Sequence, residues 1–101
     1  MIRKEKALDY FGQAIDIAPD YARAYFNRGY IFAGEHNIQA ALDDLNKAIE
    51  NDPRIYEAYK ARGLVLYWNR EYEKAYQDLT TASQAGIAVP PGLMQEIHYK
   101  T

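Results

Sequence analysis

The chain has no cysteine, which excludes disulfides, thiolate metal sites and cysteine nucleophiles. It leaves the redox compartment open. Histidine is nearly absent too. His36 and His98 are the only two, and neither has a second histidine or a carboxylate at metal-ligand spacing. Both read as solvated surface residues, and no cofactor is expected. Long apolar runs are lacking: the longest stretch, Leu64 to Trp68, is far short of the ~20 residues of a membrane helix. There is no basic excess. The formal net charge is -2, whereas a nucleic-acid groove needs a basic surface. Neither nucleic acid nor a membrane is therefore an expected partner. Arg3, Lys4 and Lys6 are followed by no apolar core, so no signal peptide is visible and a cytoplasmic location is favoured. What remains is 101 residues, 49% hydrophobic and 26% charged, the composition of one soluble globular domain.

That domain is built from a repeat. Ala7, Ala41 and Ala75 are each 34 residues apart, as are Phe11, Leu45 and Leu79, and Ala14, Ala48 and Ala82. Pro19 and Pro53 keep the same step. A second set lies between them: Ala24-Tyr25 recurs as Ala58-Tyr59, Arg28-Gly29 as Arg62-Gly63, and Phe32 as Leu66. Fixed self-similarity of this kind marks a repeat architecture, in which each unit cannot bury its apolar face alone.

Each unit reads as two helices. Tyr25, Gly29 and Phe32 fall at i, i+4, i+7 on one helix face. Ala41, Leu45 and Ala48 do the same, with Leu42 and Ile49 widening the stripe. Gly34-Glu35-His36-Asn37 between them is turn chemistry. Proline in Asn51-Asp52-Pro53 ends the second helix. No window alternates as a half-buried strand would. Gly29 and Gly63 sit inside helices, where glycine costs ~1 kcal/mol against alanine. That cost points to close helix–helix approach, with Ala41 and Ala75 as the small residues on the other side. The spacing predicts six helices, over 3–17, 22–34, 38–50, 56–68, 72–84 and 91–99. The sixth opens at Pro90-Pro91. Ile97, 34 residues after Gly63, is too bulky for the glycine role and marks a capping helix.

Tyr25, Arg28, Gly29, Phe32, Ala41, Leu45, Ala48 and Pro53, and again Tyr59, Arg62, Gly63, Leu66, Ala75, Leu79 and Ala82, resemble the pattern of the tetratricopeptide repeat (TPR) family. The chain departs from it in three places. Ile87 stands where a third proline would fall. Arginine twice replaces the usual leucine before glycine. The first copy is incomplete, with Met1 at the interhelix turn. The resemblance implies an all-α fold: a right-handed solenoid of antiparallel helix pairs, about two and a half repeats plus a C-terminal capping helix. The expected organisation is one TPR domain over 1–101, with a partial repeat at 1–20, repeats at 22–55 and 56–89, and a capping segment at 90–101. It also implies a protein–protein interaction module or scaffold that takes a peptide or protein in a concave groove lined by the first helix of each unit.

Several residues then acquire expected roles. Arg28 and Arg62 repeat in step with Asp44 and Asp78, which predicts an interhelical ion pair in each unit. In the incomplete unit Tyr10 replaces the aspartate and no first helix supplies an arginine. Binding of an anionic ligand by the arginines is the less favoured alternative. On the groove face the expected residues are Arg23, Phe26, Asn27 and Tyr30 in one unit and Lys60, Leu64 and Tyr67 in the next, with Trp68 at the margin. Phe26, Tyr30, Leu64 and Tyr67 would form an apolar patch of the kind that marks interaction sites. Alternatively, the C-terminal segment with Leu93, Met94 and Tyr99 folds over part of it. Some TPR proteins grip the C-terminal carboxylate of chaperone tails with lysine, asparagine and arginine. Here Arg23 and Asn27 could serve, but Glu57 and Ala61 occupy the matching places in the next unit. The pattern therefore favours a groove that reads apolar and aromatic side chains.

No nucleophile elbow or phosphate cradle is present, and Asp43 and Asp44 face different directions on a helix. The chain is thus not expected to be an enzyme. Two alternatives stand beside the binding module. One is a fragment of a longer protein whose catalytic domain lies elsewhere. The other is a self-assembling unit in which Leu8, Phe11 and Ile15 on the first helix meet a second copy, as a homodimer or head to tail. Ile97 at the glycine position favours the two-fold form.

Overall fold

In the computed structural model, residues 4–101 are described. The expected helix start at residue 3, and the turn expected at Met1, lie outside them. Among the described residues there are six helices and no strand: α1 (Lys4–Ile17), α2 (Ala22–Gly34), α3 (Ile38–Asn51), α4 (Tyr56–Trp68), α5 (Tyr72–Gln84) and α6 (Pro91–Lys100). The helices fall into two compact units, Met1–Ile55 and Tyr56–Thr101. In the first, α1 packs on α2 and α2 on α3. In the second, α4 packs on α5 and α5 on α6.

The helices end for local reasons. Three follow one scheme, in which a left-handed residue turns the chain and two backbone N–H groups cap the last carbonyls. His36 (φ 58°), Arg70 (φ 64°) and Gly86 (φ 93°) are those residues. The N–H of the next residue reaches back to Phe32, Leu66 and Ala82 respectively. His36 and Arg70 are 34 apart, so the turn geometry repeats with the sequence. Gly34, the glycine of the expected turn, is still helical. α3 ends at Asn51, two residues before Pro53, and the Asp52 carboxylate accepts from the N–H of Arg54 at 3.1 Å. Pro91 opens α6, where its missing N–H has no intrahelical partner to lose.

Ala41, Leu45 and Ala48 on α3, and Ala75, Leu79 and Ala82 on α5, are fully buried. Gly29 and Gly63 face them. A methyl group at Gly29 would lie 3.0 Å from Asp44 Cβ and 3.1 Å from Leu45 Cγ. At Gly63 it would lie 2.8 Å from Leu79 Cγ and 3.2 Å from the Ala75 carbonyl oxygen. The glycines are what lets each pair of helices close. The two outer helices differ. α1 has no buried residue, whereas α6 sinks Ile97 completely. Ile97 is thus the anchor of a cap packed on α5.

Candidate partner-binding faces

Behind each glycine sits an arginine. Arg28 donates from Nε and Nη2 to the two carboxylate oxygens of Asp44, at 2.7 and 2.8 Å. Arg62 does the same to Asp78, at 2.7 and 2.9 Å. This planar, two-pronged geometry is the strong form of the contact. Both aspartates are buried. Their hydrogen bonds hold the Arg28 and Arg62 guanidinium groups above their ordinary value against the opposing effect of burial. Each guanidinium also lies over a tyrosine ring of its own helix: Arg28 over Tyr25 at 6.0 Å, and Arg62 over Tyr59 at 5.6 Å. These contacts of the arginines lie within their helix pairs, a structural use.

Another side of α2 carries the exposed Arg23 and Tyr30. Arg23, Phe26 and Tyr30 form a row along it. The Arg23 guanidinium lies over the Phe26 ring at 5.4 Å, and the Phe26 and Tyr30 rings are 5.9 Å apart. Tyr30 is 62% exposed, while Phe26 and Asn27 are half-buried. The row results from i, i+3, i+7 spacing on a helix whose opposite face is pinned to α3.

The corresponding side of α4 carries Lys60, Leu64 and Tyr67, all half-buried, with Trp68 more exposed. Ala61 is buried. Tyr67 does not stand free. Its hydroxyl donates to Glu96 of α6 at 2.7 Å, and its ring meets Tyr72 at 5.8 Å. The hydrogen bond to Glu96, then desolvation, pushes the Tyr67 phenol above its usual range. Lys100, one turn beyond Glu96, lies over Tyr72 at 5.3 Å. The C-terminal helix thus reaches this face through Glu96 and Lys100. Leu93 and Met94 are half-buried, but Tyr99 is 92% exposed and covers nothing. Sequence reasoning missed Glu96 and Lys100, which have no repeated counterpart to flag them.

Of the residues expected in self-association, Leu8, Phe11 and Ile15 are half-buried. The large exposed apolar residues of α1 are instead Tyr10, at 67%, and Ile17, at 85%. Tyr10 could have been found from its place 34 residues before Asp44, the position that faces a unit's own first helix. His36 is exposed in its turn, and His98 is exposed with its ring 5.8 Å from Tyr76. Among the described residues no cluster of three or more histidine, aspartate or glutamate side chains could hold a metal ion. No helix among them is long and apolar enough to cross a membrane.

The tetratricopeptide repeat model matches residues 22–55. The chain is 30% identical to the TPR2B domain of yeast Sti1, solved as a pHsp70 complex, with a TM-score of 0.78 over 96% of this chain and 81% of that one. The chain belongs to the tetratricopeptide repeat family. It is also 30% identical to the TPR2AB domain of yeast Sti1, solved as a pHSP90 complex, with a TM-score of 0.76 over 96% of this chain and 39% of that one. YrrB, described as a TPR protein with an unusual peptide-binding site, shares the fold at 23% identity, with a TM-score of 0.72 over 97% of this chain and 49% of that one. No curated protein matches the chain significantly. The fold is therefore the all-α fold of TPR solenoids with a capping helix, and TPR domains are protein-interaction modules.

Proposed function

We propose that the chain is a non-catalytic TPR binding module. Its first-type helices α2 and α4 engage a peptide or protein partner on the sides turned away from α3 and α5, the sides that line the peptide groove in this family. The observation that carries the reading is the row Arg23, Phe26 and Tyr30 with its exposed Tyr30. Phe26 touches both Arg23 and Tyr30, so the row offers apolar surface rimmed by one cation. Aromatic residues and arginine are the types that dominate binding hot spots. Lys60, Leu64 and Tyr67 offer similar chemistry on α4 of the second unit, and Asn27 supplies an amide for a partner's backbone. These are contact residues rather than a proton- or group-transfer set.

The Sti1 domains, at 30% identity in pHsp70 and pHSP90 complexes, support a peptide or protein partner in general. They do not dictate the same ligand. Glu57 and the buried Ala61 stand on α4 where a second basic clamp for a carboxylate would be needed. The partner proposed is an extended segment with apolar and aromatic side chains. Two fluorescent decapeptides test this, one rich in leucine and phenylalanine and one acidic with a free C-terminal carboxylate. The first should bind more tightly. Tyr30→Ala should weaken it about tenfold, the size of a contact worth ~1.4 kcal/mol. Preference for the acidic peptide, or equal binding by Tyr30→Ala with helicity intact, would overturn the proposal.

A further inference from the structure

The face of α4 in the second unit has two ends of unlike chemistry. Lys60, Leu64 and Tyr67 fall at i, i+4, i+7 along one stripe. Lys60 begins it, and at the other end α6 adds a carboxylate. Ile97 is the fully buried residue of α6. A helix turns by ~100° per residue, so the neighbours of Ile97 diverge. His98 meets the ring of Tyr76 on α5, and Glu96 reaches α4, where its Oε2 accepts a hydrogen bond from the Tyr67 hydroxyl at 2.7 Å. Lys100 stands one turn beyond Glu96 but does not pair with it. Its ammonium lies over the Tyr72 ring at 5.3 Å. Among the described residues no ion pair joins Glu96 to a cation. Lys60 is two turns from Tyr67, ~10 Å along the helix, which is about one Debye length at 0.1 M salt.

The bond between Tyr67 and Glu96 fixes what this end of the face can recognise. A phenol has one O–H, and an ionised carboxylate has none. With the Tyr67 hydrogen directed to Glu96, the phenol oxygen and the carboxylate offer only acceptors to a bound group. Glu96 also brings a negative charge that no ion pair offsets. The phenol itself is held above its usual range by this bond, so it stays protonated and donating at neutral pH. An arriving carboxylate finds no donor here and meets repulsion. A lysine or arginine side chain brings only donors and a positive charge, and it can lie against the Tyr67 ring. We propose that Glu96 is a specificity-determining residue of the α4 face, selecting a partner segment that sets a lysine or arginine beside Tyr67. This inference rests on the reading that the α4 face binds a peptide, and it adds the charge of the residue taken there.

Decapeptides of leucine and phenylalanine with blocked ends test it. Each carries a single lysine, glutamine or glutamate at one position, and that position is moved along the peptide. Where lysine binds best, it should bind about threefold more tightly than glutamine at low salt, the size of an exposed ion pair. Glutamate there should bind about threefold more weakly than glutamine. In about 1 M salt the three should converge, because screening then acts within ~3 Å. Glu96→Gln keeps an oxygen for the Tyr67 hydroxyl but removes the charge, so the ratio of lysine to glutamate binding should fall toward one. Glu96→Lys should reverse the order. Glu73→Gln, the same charge change at an exposed site on α5, should keep the ratio. A peptide series with no position at which lysine is preferred to glutamate, or a lysine preference that survives Glu96→Gln, would overturn the proposal. Tyr30→Ala separates it from the broader reading. If that variant weakens the glutamine peptide while the lysine preference is absent, selection by Glu96 fails and the binding module stands. If none of the peptides binds, both fail.

Discussion

The α2/α3 pair and the α4/α5 pair carry the same ion pair at nearly the same distances, yet they are not equally tight. A methyl group at Gly63 would press on Leu79 at 2.8 Å and on a backbone oxygen at 3.2 Å, whereas at Gly29 the closest atoms are side-chain carbons at 3.0 and 3.1 Å. Side chains can yield by a few tenths of an ångström, and a helix backbone cannot do so cheaply. The outer helices differ more: α6 has one fully buried anchor, while α1 has none. Residues that recur every 34 positions make the interiors of the two units alike. Residues that do not recur make their edges different.

The largest expected effect tests the likeness. Asp44→Ala and Asp78→Ala each leave a partly buried guanidinium without its partner. Each should lose about 2–4 kcal/mol in denaturant unfolding, somewhat less than a wholly buried pair because water reaches the arginines. The exposed control Glu73→Ala should change stability by under about 0.5 kcal/mol. Losses for the two aspartates differing more than twofold would break the equivalence of the pairs. The glycines sharpen the contrast. Gly63→Ala should destabilise by about 1–2 kcal/mol net, overpacking outweighing the ~1 kcal/mol helix gain. Gly29→Ala should come out near neutral, within about 1 kcal/mol. The reverse order would show that the α4/α5 pair is not the tighter one.

Smaller effects come from the turn and the cap. Arg70→Gly relieves a left-handed conformation and should stabilise by about 0.5–1 kcal/mol. Tyr67 titrates above its usual range in the folded state. Its bond to Glu96 therefore contributes stability that is fully present below the ordinary phenol value and is lost as pH rises through the raised one. A spectroscopic tyrosine titration should contain one late-titrating group that returns to the ordinary range in Glu96→Gln. Amide exchange should be faster in α1 than in α2 through α5, since no residue of α1 is fully buried.

Much of this was legible in the residues. The helix limits followed from 34-residue spacing and from Pro53 and Pro91, because chain-breaking residues act locally. The Arg–Asp pairs were legible because two partners shared one step, so the sequence stated the contact twice. Single-copy contacts had no such redundancy. Nothing in the sequence announced that Glu96 would meet Tyr67, or that Lys100 would lie over Tyr72. The left-handed turn residue was hidden because His36, not Gly34, takes that conformation. On α1, apolar periodicity marked Leu8, Phe11 and Ile15 but could not say which side α2 would cover. The open side turned out to be that of Tyr10 and Ile17.

The central claim is that the open sides of α2 and α4 are the working surface. Titrating the leucine- and phenylalanine-rich decapeptide into the isotope-labelled protein, and following amide and side-chain resonances, tests it most directly. The account predicts that the shifts concentrate at Arg23, Phe26, Asn27 and Tyr30, and at Lys60, Leu64 and Tyr67, while Gly29, Gly63 and the buried aspartates stay still. Shifts confined to α1 or to the α3 and α5 surfaces, with α2 and α4 silent, would contradict it.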